Sequence, residues 1–129
     1  MNDETFDAAP FRAVMSARGA HVLTVEHGET ASGADMRTYM IALERFVRRA
    51  GVGSVLFDAR RDGAPRSGDE ETREARWAFL AATTVITRSA VVADNDLAQM
   101  RINMTARARG VTLRAFLDFP SAEKWLAEA

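Results

Sequence analysis

Polar and apolar residues alternate along two short runs near the start of the chain. In the first, Phe11, Ala13, Met15 and Ala17 share one side and Arg12, Val14 and Ser16 the other. In the second, His21, Leu23, Val25 and His27 alternate with Val22, Thr24 and Glu26. A period of two marks a half-buried strand, and Arg18-Gly19 between the runs suits a tight turn, so an antiparallel hairpin is expected. The period then changes. Met36, Tyr39, Met40, Leu43, Phe46, Val47 and Ala50 recur at helical spacing, which predicts a helix capped by Asp35 and stopped by Gly51. Val52 to Asp58, centred on Val55-Leu56-Phe57, reads as a buried strand.

The second half repeats the alternation of strand and helix. Arg60 to Gly68 is an irregular stretch, and a helix runs from Asp69 to about Thr84 with acids in its first turn and Trp77, Leu80 and Ala81 later. Ala90 to Asp94 is a short apolar strand. Leu97 to Arg109 is amphipathic and closed by Gly110; Leu113 to Asp118 is a strand; Ser121 to Glu128 is a last helix carrying Trp125. The order ββαβαβαβα predicts a single-domain α/β protein with a five-stranded mixed sheet, an N-terminal antiparallel hairpin and four helices over residues 11–129. Residues 1–10 read as a flexible tail.

Composition narrows the class. A chain of 129 residues that is 47% hydrophobic is long enough for one core and too apolar for disorder. A net charge of -1 gives no electrostatic footprint for nucleic acid. With no cysteine there is neither thiolate chemistry nor a disulfide. Met1-Asn2-Asp3-Glu4 is acidic and leads into no apolar stretch, and no run approaches membrane-spanning length, so a cytoplasmic protein without a membrane span is expected.

The element order, Ala90-Val91-Val92-Ala93-Asp94, and the closing Phe116-Leu117-Asp118-Phe119-Pro120-Ser121-Ala122-Glu123-Lys124-Trp125-Leu126 resemble the STAS-like superfamily, and within it the bacterial SpoIIAA-like branch. The resemblance covers residues 20–129 and rests mainly on core positions. It implies one of two roles. Anti-anti-sigma members bind a kinase-like protein and are switched by phosphorylation of a serine in an Asp-Ser-Ser/Thr-Gly turn. SpoIIAA-like members often lack that turn and resemble CRAL-TRIO lipid-transfer domains, which implies an apolar ligand. Here the matching stretch is Pro65-Arg66-Ser67-Gly68-Asp69, followed by Glu70, Glu71 and Glu74. Only Ser67-Gly68 survives, and the acids beside it argue against a phosphoswitch.

Each candidate residue has a functional and a plain reading. Ser67 would place a phosphate on helix amides, or it is an ordinary cap or loop serine. Asp58, Asp94 and Asp118 end strands and would gather at one rim of a parallel sheet, as a divalent-cation or phosphate-accepting site and the place an enzyme would need, or they cap helices and turns. Arg60, Arg61 and Arg66 offer forks for phosphate or carboxylate, or lie in a solvated loop. His21 and His27 share a strand face roughly 20 Å apart and cannot hold one metal. Met36 with Met40, and Met100 with Met104, form pairs one turn apart, joined by Trp77 and Phe79: either an apolar pocket or core packing.

No metal cluster, cofactor fingerprint or nucleophile–base motif is present in the sequence. The expectation is a non-enzymatic STAS-like binding module in bacterial regulation that needs no cofactor and acts through protein–protein contact, with a homodimer left open. The alternative is a carrier or sensor of a small apolar, lipid-like ligand. A carrier should enclose an apolar cavity lined by the methionine pairs; a partner-binding module should have a filled core and an exposed apolar patch.

Overall fold

A computed structural model describes residues 1–60 and 70–128. The strands are β1 (Glu4–Ala8), β2 (Phe11–Ala17), β3 (Val22–Gly28), β4 (Ser54–Asp58), β5 (Arg88–Val92) and β6 (Leu113–Phe116); the helices are α1 (Gly33–Ala50), α2 (Glu70–Ala82), α3 (Asp96–Arg109) and α4 (Phe119–Ala127). The strands lie side by side in chain order in one sheet. The pairs β1–β2 and β2–β3 are antiparallel, and β3 to β6 run parallel.

The sheet therefore has six strands rather than five, and residues 4–8 are a strand rather than a flexible tail. The reason is packing on the far side of β2. Phe6 sits with its ring 6.3 Å from Phe11 and 5.6 Å from Tyr39, and Glu4 pairs with Arg49 of α1. One large apolar residue in Glu4-Thr5-Phe6-Asp7-Ala8 is too weak a pattern to announce this from sequence. The turn between β1 and β2 brings Pro10 against Gly28 at the end of β3; a Cβ there would stand 1.9 Å from the Pro10 carbonyl oxygen, and Gly28 has φ +77°.

The strand order decides where the helices go. Parallel strands added always to the same side, each through a right-handed crossover, must place every crossover helix on the same face. Accordingly α1, α2 and α3 join the inner face of β2 to β6, where Phe11, Met15, Val55, Phe57, Val91 and Ala115 meet Tyr39, Leu43, Phe46, Leu80 and Ala106. The helix α4 follows the last strand and crosses to no further one. It covers the opposite face, setting Ala122 and Leu126 on Leu56, Ala90, Val92 and Phe116.

Local chemistry fixes the helix ends. Ser32, not Asp35, caps α1, its Oγ accepting the Asp35 amide at 3.1 Å. Asn95 and Asp118 cap α3 and α4 in the same way. Gly51 and Gly110 close α1 and α3 in the left-handed conformation. Trp125 is half-buried rather than fully inside: its ring lies 5.8 Å from Phe116, with the Arg88 guanidinium 3.8 Å from its centre.

Candidate functional site

The inner face of β3 carries polar residues where the neighbouring strands carry apolar ones. Glu26 lies opposite Ala13 and Thr24 opposite Met15, and both are buried. Burying a carboxylate is costly unless it is paired, and here the partner arrives from α2. Arg76 Nη1 and Nη2 donate to the two Glu26 carboxylate oxygens at 2.7 and 2.9 Å. The Tyr39 hydroxyl from α1 donates to Glu26 Oε2 at 3.0 Å. Since that phenol has one proton, the Thr24 hydroxyl must be the donor in its 2.7 Å contact with Tyr39. Arg76 also lies over the rings of Phe57 and Tyr39, at 5.4 and 6.0 Å.

Electrostatics keep this cluster in one protonation state. Burial, then the nearby Glu26 charge, pushes the Tyr39 pKa well above its ordinary value, so the phenol stays neutral and donating. Burial works against the Arg76 charge, but the attraction and hydrogen bonds of Glu26 outweigh it and the pKa ends higher than usual. The cluster joins sheet, α1 and α2 as a lock. Sequence reasoning passed over it, because the alternation sets Glu26 with Thr24 on the more polar side of its strand, and only the structure shows that this side is the buried one, facing Arg76 among Thr72, Ala75 and Leu80.

The carboxyl ends of the parallel strands hold a second fork. Asp58 is almost buried at the end of β4, level with Val25, Val92 and Phe116. Arg60 Nε donates to Asp58 Oδ1 at 3.0 Å and its Nη2 to Oδ2 at 3.4 Å, while its guanidinium rests 4.6 Å from the centre of the Phe119 ring. Asp94 and Asp118 stand two residues beyond the level of Asp58, about 7 Å farther along their strands, and are exposed. Asp118 serves as the α4 cap, accepting the Ser121 amide and hydroxyl, which holds its pKa below the ordinary value. The three carboxylates thus do not converge, and among the described residues no group of histidines and carboxylates could hold a metal ion.

The helix α3 has two unlike faces. Inward, Asn103 Oδ1 accepts the Ala115 amide at 2.7 Å, and Gln99 Nε2 donates to the Ala115 carbonyl at 3.2 Å. These side chains occupy the outward backbone groups of β6, the last strand of the sheet, where another strand would otherwise add. Outward, Leu97, Met100 and Met104 are 50%, 52% and 60% exposed at positions i, i+3 and i+7.

No family model matches the sequence, and no curated protein matches it. Among solved structures the chain is similar to an uncharacterised protein of the DUF3478 family with a SpoIIAA-like fold from Shewanella loihica PV-4. The TM-score is 0.57 at 14% sequence identity, over 90% of this chain and 93% of that one. The chain has a SpoIIAA-like fold.

Within the SpoIIAA-like fold the methionine pairs do not meet. Met36 and Met40 are enclosed in the core at 1% and 0% exposure, whereas Met100 and Met104 face solvent, so a pocket lined by all four is not formed. The cause is the phase of α3, which turns its apolar stripe away from the sheet. Trp77 is half-buried on α2 against the core. An open cleft of about 430 Å³ is lined by Arg37, Glu71, Glu74, Ala75, Ala78 and Phe79, and touches none of the four methionines. Arg61, Arg66 and Ser67 lie outside the described residues. No helix among the described residues is long and apolar enough to cross a membrane.

Proposed function

We propose that this SpoIIAA-like domain is a non-enzymatic binding module that docks proteins on the outer face of α3. One observation carries the reading: the exposed stripe of Leu97, Met100 and Met104 on a helix whose other face is fixed to the sheet. A helix packed on a sheet ordinarily turns its polar side outward. An apolar row at i, i+3, i+7 is instead the pattern of a helix that inserts into, or accepts, a partner's apolar surface. Methionine suits such a surface because it is long and adaptable. The alternative, a carrier of an apolar ligand, is weakened by the close-packed methionines of α1 and the outward methionines of α3.

The test is site-specific photo-crosslinking in the native cell. A crosslinker at position 104 should trap a protein, at a yield that Leu97→Asp reduces, while one at exposed position 12 should not. Native mass spectrometry of the purified chain runs beside it. A stoichiometric lipid there, with no adduct at position 104, would sink the reading and favour the carrier.

A further inference from the structure

We propose that the partner on α3 is a second copy of this chain, with the two α3 helices antiparallel across a twofold axis near Arg101 and Ile102. The inference rests on reading α3 as the docking face, and names its occupant from charge complementarity. Asp96 and Arg107 are both exposed and stand eleven residues apart, about three helical turns, so they fall on the same flank of the stripe. In an antiparallel twofold pair the same flanks face each other. Asp96 of each copy then meets the partner's Arg107, twice by symmetry. The apolar row is self-complementary to within a side chain's reach in the same register: Leu97 stands about 3 Å along the helix from the level of the partner's Met104, and the two Met100 residues flank the axis about 4.5 Å apart along it. Antiparallel helices also set each positive N-terminus beside the other's negative C-terminus.

Two further features favour this pairing over other ways of joining copies. The outward groups of β6 at Ala115 are occupied by Asn103 and Gln99, so a copy arriving at this end of the sheet meets the helix face and not a free strand edge. The net charge of -1 gives little overall repulsion between copies. One group opposes the pairing. Arg101 is exposed next to the stripe and would approach the partner's Arg101 close to the axis. A single helix face of 14 residues, about 21 Å long, is also a small interface. Both point to a weak, reversible dimer.

Sedimentation equilibrium of the purified full chain from about 1 μM to about 500 μM tests this. The expected result is a monomer–dimer equilibrium with a Kd of about 10–100 μM, in the range of small interfaces. Met104→Asp or Leu97→Asp should weaken it by at least about tenfold with an unchanged thermal midpoint, since both positions are half or more exposed. Asp96→Arg and Arg107→Asp should each weaken it about fivefold, and the double variant should return to within about twofold of the parent. Arg101→Ala should tighten it. A chain that stays monomeric throughout, or a dimer indifferent to Met104→Asp, overturns the proposal. A double charge variant as weak as the singles overturns the antiparallel register. If the chain is monomeric while the crosslinker at position 104 traps a different protein, self-pairing falls and the docking face stands. If that crosslinker traps nothing, both fall.

Discussion

Arg76→Met should expose how α2 is held. The substitution keeps a long apolar stem and removes the guanidinium that donates to Glu26 at 2.7 and 2.9 Å. Glu26, with its side chain wholly buried, then loses the Arg76 fork while the Tyr39 hydrogen bond remains. Removing one partner of a buried ion pair costs about 3–5 kcal/mol. The Arg76 side chain is 22% exposed, so water already screens part of the interaction, and the expected loss is about 3 kcal/mol. In urea, with a slope of about 1.5 kcal/mol/M, the midpoint should fall by about 2 M. Adding Glu26→Gln removes the charge that Arg76 no longer balances and still accepts from Tyr39, so the double variant should recover to within about 1 kcal/mol of the parent. The single variant should also gain ground at low pH. A buried carboxylate that has lost a bidentate guanidinium holds its proton more readily than with it, so the penalty is largest at neutral pH and shrinks as pH falls. A single-variant loss below about 1 kcal/mol, or a double variant no better than the single, would refute the view that this pair fastens α2 to the sheet.

The same cluster makes a prediction in alkali: Tyr39, the chain's one tyrosine, has a raised pKa, so stability should hold up to about pH 10 and fall above it, where the unfolded chain releases a proton the folded chain keeps. Tyrosinate absorbance should therefore appear together with loss of circular dichroism, and appearance in the folded protein would contradict the buried phenol. Phe6→Ala should cost about 2 kcal/mol in urea melts, less than a fully buried phenylalanine because the ring is half-buried; a change within about 0.5 kcal/mol would return residues 4–8 to a tail. Gly28→Ala should cost about 2–3 kcal/mol, from its positive φ and the Pro10 carbonyl in the space of the new Cβ, and a neutral thermal midpoint would show that the β1–β2 turn sits elsewhere.

Much of the fold was legible because its signals were local. The period-two runs became β2 and β3, the stripe from Met36 to Ala50 became the buried side of α1, and the apolar triplet Val55-Leu56-Phe57 became β4. What sequence concealed depended on neighbours. β1 is held by Phe11 and Tyr39, residues distant from it in sequence or spent on other elements. Glu26 and Arg76, fifty residues apart, each look like ordinary surface charges until the crossover brings them together. The methionines show the limit most plainly. Met36–Met40 and Met100–Met104 have identical spacing, yet one pair is core and the other surface. Periodicity locates a stripe; it does not say which way the stripe faces.

The direction of α3 follows from where its crossover ends. α1 lies over β1, β2 and β3, where strands run beneath its inner side, and so its inner residues are large and apolar. α3 crosses to the last strand, and beneath it the sheet stops at β6. A helix there must settle an edge as well as cover a face, and edges are settled by polar groups. Gln99 and Asn103 fill that role, with Ile102 and Ala106 supplying the smaller apolar contact. With the inner side committed to amides, its large apolar residues, Leu97, Met100 and Met104, are left on the outside. That cost in solvation has no return within the isolated domain, since an exposed apolar row contributes nothing to the core. It gains one only when a second surface covers it, which is why the same helix that closes the sheet to further strands is the place to look for a partner.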